Sequence, residues 1–192
     1  KPVGSMTQYD KMRVGRGENK KYLHYGEIVP LANLNDIVFG AWDVYPANAY
    51  ESAVKAEVLK EKDINPVKDE LKKIVKMNTA FDHNYASRLD GDNVKDCKNR
   101  WDMMEQLRED IRNFKVANNC ARIVVLWAAS TEIYVPVDEK IHGTLAALEQ
   151  AMKDDDKAHI APSMCYAYVA LLEGCPFIMG APNTTVDIPA MW

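Results

Sequence analysis

Hydrophobic spacing divides this chain into helices and short apolar strands. Residues 100–117 set Trp101, Met104, Leu107, Ile111 and Phe114 on one helical face, and Asn118–Asn119 ends the run. Tyr50, Val54 and Val58, behind Pro46 at a first-turn position, predict a helix over 47–62. IHGTLAALEQAMK (141–153) predicts another, followed by the solvated run DDDK. SMCYAYVALLEG (163–174) is apolar nearly all round and predicts a buried helix, with Ser163 as its cap and Gly174 as its stop. Three short apolar runs, Ile37–Phe39, RIVVLW (122–127) and PFIMG (176–180), predict strands. The continuous character of 122–127 fits a parallel sheet covered on both faces. Weaker patterns predict a hairpin turning near Gly15–Asn19 and a short helix over Val67–Val75. Residues 79–99 then form a long connection, a kind of segment more often functional or poorly ordered than inert.

Strands alternating with helices imply an α/β fold, a Rossmann-like parallel sheet with helices on both faces. Composition agrees: hydrophobic residues make up 47% and charged residues 27%. A net charge of −4 and a pI near 5.6 argue against a duplex nucleic-acid surface. Cys97, Cys120, Cys165 and Cys175 form no close-spaced pair, which speaks against structural zinc; free thiols, with Cys165 and Cys175 buried, fit a reducing, cytoplasmic setting. No stretch approaches the roughly 20 apolar residues of a membrane span, so no membrane partner is expected. The chain opens on KPVGSMTQ and closes on DIPAMW, and both ends are expected to continue into a longer protein.

In open parallel sheets, ligands bind beyond the carboxyl ends of the strands. Here those ends read GAWD, AASTE and MGAPNTT, loops of small residues with one or two polar groups. Ala128 and Ala129 would let a flat or phosphorylated ligand lie against the backbone, with Ser130 and Thr131 available to bond to it. Asp43 suits an acceptor for adenosine ribose hydroxyls, or equally a capping or first-turn carboxylate for the next helix. Thr131 and Glu132 could simply begin a turn, and Gly180 could simply permit one. His83 and His142 lie in polar contexts and are expected to face solvent. Trp42 and Trp127 are expected in the core. No G-x-G-x-x-G opens a helix, so the phosphate-cradling loop of a dinucleotide site is expected upstream of Lys1, on a first βα unit that this chain lacks.

Several blocks together resemble the myo-inositol-1-phosphate synthase family: GSMTQ (4–8), LNDIVFGAWDVYPANAYESAVKAEVL (34–59), LREDIRNFK (107–115), VVLWAASTEIY (124–134) and IAPSMCYAYVALLEGCPFIMGAPNTT (160–185). The region 63–99 is looser, and MGAPNTTVD departs from the family's usual N-G-S-P-Q-N-T. The resemblance implies an NAD-dependent isomerase, an intramolecular lyase, that turns glucose 6-phosphate into inositol phosphate by oxidation, enolisation, aldol cyclisation and reduction. It further implies that residues 1–192 are part of the NAD-binding domain. Asp43 would then hold the adenosine ribose. Thr79, with Ala80 beside it, would match the adenine-side hydroxyl residue. Ala128, Ala129, Ser130 and Thr131 would run along the cofactor, and Gly180 and Ala181 would complete the crevice. The family's catalytic lysines fall beyond Trp192, so no catalytic residue is assigned, and the isolated segment is expected to be inactive and to bind NAD weakly or not at all. A cytoplasmic homo-oligomer, a tetramer in the family, is implied too. The competing readings are a plain NAD-dependent dehydrogenase and a non-catalytic nucleotide-binding module.

Overall fold

A computed structural model describes residues 9–192; the GSMTQ block lies outside them. The chain divides into two units, Lys1–Val38 and Phe39–Trp192. In the first, β1 (Lys11–Val14) and β2 (Lys21–His24) pair antiparallel, Lys11 opposite His24. The expected turn is there, and Gly15 and Gly17 carry it at φ of 79° and 56°, where a side chain would be strained.

In the second unit, β3 (Gly40–Asp43) and β4 (Val75–Asn78) are parallel, with Asp43 opposite Asn78. A second parallel pair joins β5 (Val125–Trp127) to β6 (Phe177–Met179), with Trp127 opposite Met179. The helices are α1 (Ala49–Ala56), α2 (Arg100–Ala117), α3 (Leu145–Lys153) and α4 (Pro162–Leu172), with single helical turns at Glu61–Ile64, Lys68–Lys72 and Glu139–His142. The core forms where α2 packs on α4, with α3 against α2 and α4 against β5 and β6. Met104, Leu107, Leu148, Met164 and Val169 are sealed there. The α/β architecture with parallel strands is thus as expected. Val125 faces the core, while Leu126 and its neighbour Ile178 point outward at 58% and 51% exposure.

Several boundaries differ from the expected ones. The first strand begins at Gly40 and not at Ile37, because the Gly40 backbone lies against the Phe114 ring (a Cβ would sit 2.6 Å from it) and Trp42 Nε1 donates to Asp110 over 2.7 Å. α1 is shorter than 47–62. Its cap is Asn48, which accepts from Glu51 N while Glu51 accepts from Asn48 N, each at 3.0 Å. It stops at Glu57, whose φ is 54°, leaving Val58 exposed. The helix expected over Val67–Val75 ends at Lys72, and β4 follows; Val75 and Met77 alternate with Lys76 and Asn78 at a strand's period. The helix expected over 141–153 breaks at Gly143, and Thr144 caps α3.

α4 starts one residue earlier than expected, at Pro162, and Ser163 lies inside its first turn and not at its cap. His142 is fully buried, contrary to expectation. Its Nδ1 accepts from Asp138 N at 3.0 Å, so the proton sits on Nε2, which donates to His159 O at 2.9 Å. His83 is exposed as expected.

Candidate functional site

The connection 79–99 is laced to the carboxyl ends of β3 and β4. Asn93 Nδ2 donates to Asp43 O and Met77 O, and Asn93 N donates to Val44 O at 2.9 Å. Thr79 N donates to Asn93 O at 3.0 Å, and Lys95 N returns a 2.8 Å bond to Thr79 O. Gly91 passes so close to Val44 O that a Cβ would lie 2.2 Å from it. Thr79 and Ala80, both buried, therefore have a fixed place beside Asp43.

Tyr166, buried in α4, links the two strand pairs. Its ring meets Trp42 of β3 edge-on at 5.2 Å and Trp127 of β5 at 5.4 Å. Its hydroxyl accepts from Ala80 N at 2.8 Å and shares a 2.9 Å bond with Thr79 Oγ1. Burial pushes its ionisation upward, so it stays a neutral hydroxyl. Trp42 and Trp127 sit against the core, as expected; Trp127 Nε1 is a buried donor without a partner among the described residues.

Beyond β5, Ala128, Ala129, Ser130 and Thr131 are all exposed and form no hydrogen bond among the described residues. This strap runs beside Gly180, whose N–H donates to Trp127 O at 2.9 Å. A Cβ on Gly180 would lie 2.5 Å from that carbonyl, so only glycine fits the close approach. Ala181 follows, half-buried.

Asp43 is half-buried. Its Oδ1 accepts from Tyr45 N at 3.1 Å, and its other carboxylate oxygen has no partner among the described residues. The cap of α1 is Asn48 and its first-turn acid is Glu51, so the capping role does not fall to Asp43. The arrangement fits a dinucleotide in kind: an acceptor carboxylate at one strand end, a small-residue strap open to solvent, and a glycine where the backbones close up.

Sequence reasoning missed Glu132. It is only 6% exposed. One carboxylate oxygen accepts from Ser163 N at 3.0 Å, the other accepts from Ser163 Oγ, and Ser163 Oγ meets Thr185 Oγ1 at 2.7 Å. Asn183 brackets the Glu132 backbone, donating to its O at 2.9 Å and accepting from its N at 3.3 Å. Burial pushes the Glu132 carboxyl upward against these bonds. A carboxylate directly after a small-residue strap, together with a serine beside a proline at a helix start, was the available signal.

Elsewhere, a cavity of about 230 Å³ is lined by Asp82, His83, Lys95, Arg100, Asp155 and Lys157, among others. Its lysines and arginine are already paired: Lys95 with Asp110 at 2.8 Å, Arg100 with Asp82 at 2.6 Å and Lys157 with Asp155 at 3.1 Å. No charge is left over for an anion. Among the described residues no helix is long and apolar enough to cross a membrane.

The NAD-binding family model described as myo-inositol-1-phosphate synthase matches residues 2–192. Inositol-3-phosphate synthase 1 of Bacteroides thetaiotaomicron is 60% identical over 192 residues, which is all of this chain and 44% of that protein. Inositol-3-phosphate synthase of Trypanosoma brucei brucei is 33% identical over 189 residues, 96% of this chain and 36% of its own length. The crystal structure of inositol-3-phosphate synthase from Caenorhabditis elegans aligns with a TM-score of 0.88 at 26% identity, covering 98% of this chain and 38% of that one. The chain spans less than half the length of each.

Proposed function

The chain belongs to the myo-inositol-1-phosphate synthase family, and from that premise we propose that it is the cofactor-holding part of a longer isomerase that converts D-glucose 6-phosphate to 1L-myo-inositol 1-phosphate. The observation that carries the proposal is the join made by Tyr166. One buried side chain ties the Trp42 and Trp127 strands and the Thr79–Ala80 turn together, so the strand ends suited to a dinucleotide are held beside one another. NAD, the family cofactor, supplies the acceptance and return of a hydride.

In this reading the free carboxylate oxygen of Asp43 accepts from the adenosine ribose, and Thr79 and Ala80 bound the adenine side. Ala128 and Ala129 admit the cofactor close to the backbone, Ser130 and Thr131 offer it hydroxyls, and Gly180 and Ala181 form the opposite rim. The chain's share of catalysis is orientation and exclusion of water. The phosphate-cradling glycine loop and the catalytic groups would come from the rest of the polypeptide. The working enzyme would be a cytoplasmic homo-oligomer, a tetramer; the free, partly buried thiols favour a reducing compartment.

The test is to incubate the full-length protein with glucose 6-phosphate and NAD+ and follow phosphorus NMR. Inositol phosphate formed without net NADH supports the synthase. NADH accumulating with an oxidised sugar points to a dehydrogenase, and binding without turnover to a nucleotide-binding module.

A further inference from the structure

The strap 128–131 is fixed only at its two ends. Upstream, Trp127 is locked in β5 and accepts from Gly180 N at 2.9 Å. Downstream lies Glu132, and the strap itself has no hydrogen bond among the described residues. Glu132 carries four bonds to the two elements that border the strap. Two of its backbone bonds reach Asn183, three residues past Gly180. Its carboxylate takes both the N–H and the hydroxyl of Ser163.

The need for that carboxylate is local. The N-cap of α4 is Ala161, which has no side-chain acceptor, and Pro162 has no N–H. Ser163 N is the first N–H of the helix that needs a partner, and no residue nearby in sequence supplies one. Glu132, 31 positions away, caps α4 from outside. The same helix carries Tyr166 one turn further on. One residue therefore ties the strap, through its backbone to the loop after β6 and through its carboxylate to the helix that carries Tyr166.

We propose that Glu132 is a positioning residue for the cofactor: it touches no substrate, and it sets NAD affinity by holding the strap 128–131 against α4 and the loop after β6. The inference rests on the strap bordering NAD. What matters is the hydrogen-bonded geometry and not the charge. Gln at 132 keeps the length and an acceptor for Ser163 N. Its amide donates to Ser163 Oγ, which turns to donate to Thr185 Oγ1. Ala at 132 removes both carboxylate bonds to Ser163 and keeps the two backbone bonds to Asn183, and Ser163→Ala removes only the hydroxyl bond.

The test uses the full-length synthase, with NAD+ dissociation constants measured by titration and KM values for both substrates. Glu132→Ala is expected to raise the Kd and KM for NAD+ by about tenfold, with the KM for glucose 6-phosphate changed less than about twofold. Ser163→Ala should shift them the same way by less, and Glu132→Gln should restore wild-type values. Leu148→Ala, a destabilising cavity in α3 that touches none of the Glu132, Ser163 or Asn183 bonds, should leave the NAD+ KM in place. Ala129→Phe, which blocks the strap, tests the underlying reading. If it leaves NAD+ affinity unchanged, the strap does not border the cofactor. If it weakens binding while folded Glu132→Ala and Ser163→Ala bind normally, the role of Glu132 is overturned. Equal rises in both KM values would overturn it too, as a general loss of structure. Should Glu132→Ala not fold, Ser163→Ala and Glu132→Gln decide.

Discussion

Replacing Tyr166 by Phe isolates the hydroxyl that holds the Thr79–Ala80 turn. Both edge-on contacts, with Trp42 at 5.2 Å and Trp127 at 5.4 Å, survive the change. The backbone N–H of Ala80 does not keep its partner: Ala80 is 3% exposed, and Tyr166 Oη is the acceptor it has. Leaving a buried donor orphaned costs about 1–3 kcal/mol, and losing the bond to Thr79 Oγ1 adds about 0.5–1.5. The sum, about 1.5–4.5 kcal/mol, is a large part of an ordinary domain's stability. In urea, with a slope of about 1–3 kcal/mol per molar, the midpoint should fall by about 1–2 M without a change in slope. Thr79→Val should cost less, because Tyr166 keeps Ala80. In the double variant the two losses should sum to less than their singles, since the pair shares one bond. A midpoint shift under about 0.3 M for Tyr166→Phe would refute this account, because water or a rearranged turn would then be serving Ala80.

Gly180→Ala should separate the ends of β5 and β6, because its Cβ would meet Trp127 O at 2.5 Å; the expected cost is about 1–3 kcal/mol, read by thermal melting, with NAD affinity of the full-length protein falling more steeply than stability. Arg100→Met strands the Asp82 carboxylate and Ile160 O beneath a side chain that is 4% exposed. It should cost about 3–5 kcal/mol, much of it recovered by adding Asp82→Asn. Native thiol titration should label Cys120 first and leave Cys165 unreactive, since that thiol is fully buried and pushed up to about 12; Cys97, pushed up to about 11, should lag. Glu132 is raised by burial above its ordinary value of 4.5. Its stabilising contribution is therefore complete below that value and lost as pH rises through the raised one. The stability difference between Glu132→Gln and wild type should grow in favour of Gln over that window, and a flat difference would contradict it.

The sequence carried the fold class because the strongest periodicities belong to the elements that build the core. α2 matches its expected span, Arg100–Ala117, and the apolar run of α4 is buried from Pro162 through Ala170. The misplacements come from competing local chemistry. Asn48 with Glu51 outcompeted Pro46 for the start of α1. Lysines at 72, 73 and 76 hid the alternation of Val75 and Met77, so no strand is expected there and the expected helix runs one residue into β4. His142 was judged by its polar neighbours, yet two backbone groups satisfy both of its ring nitrogens and make burial tolerable. The residues proposed to touch a ligand stood out in the sequence because small side chains at strand ends are unusual. Those that hold them did not: Tyr166 and Glu132 act across 86 and 31 positions, a separation no local pattern records.

That division explains the stretch AASTE. A strap that admits a flat ligand against its backbone must be built from side chains too small to anchor it. Its order must come from elsewhere, and a position immediately outside the strap can supply it without filling the crevice. Glu132 is that position. A shorter acceptor would reach Ser163 less readily, and an apolar residue would leave the first free N–H of α4 buried and unpaired. The cost of burying a carboxylate is offset by the two Ser163 bonds and by the helix dipole at whose positive end it sits. The same logic applies to Tyr166, which is buried in α4 and bonds to Thr79 and Ala80. In the proposed site, contact surface and support are thus divided between different residues, and substitutions in the support should alter cofactor affinity while leaving every proposed cofactor contact in place.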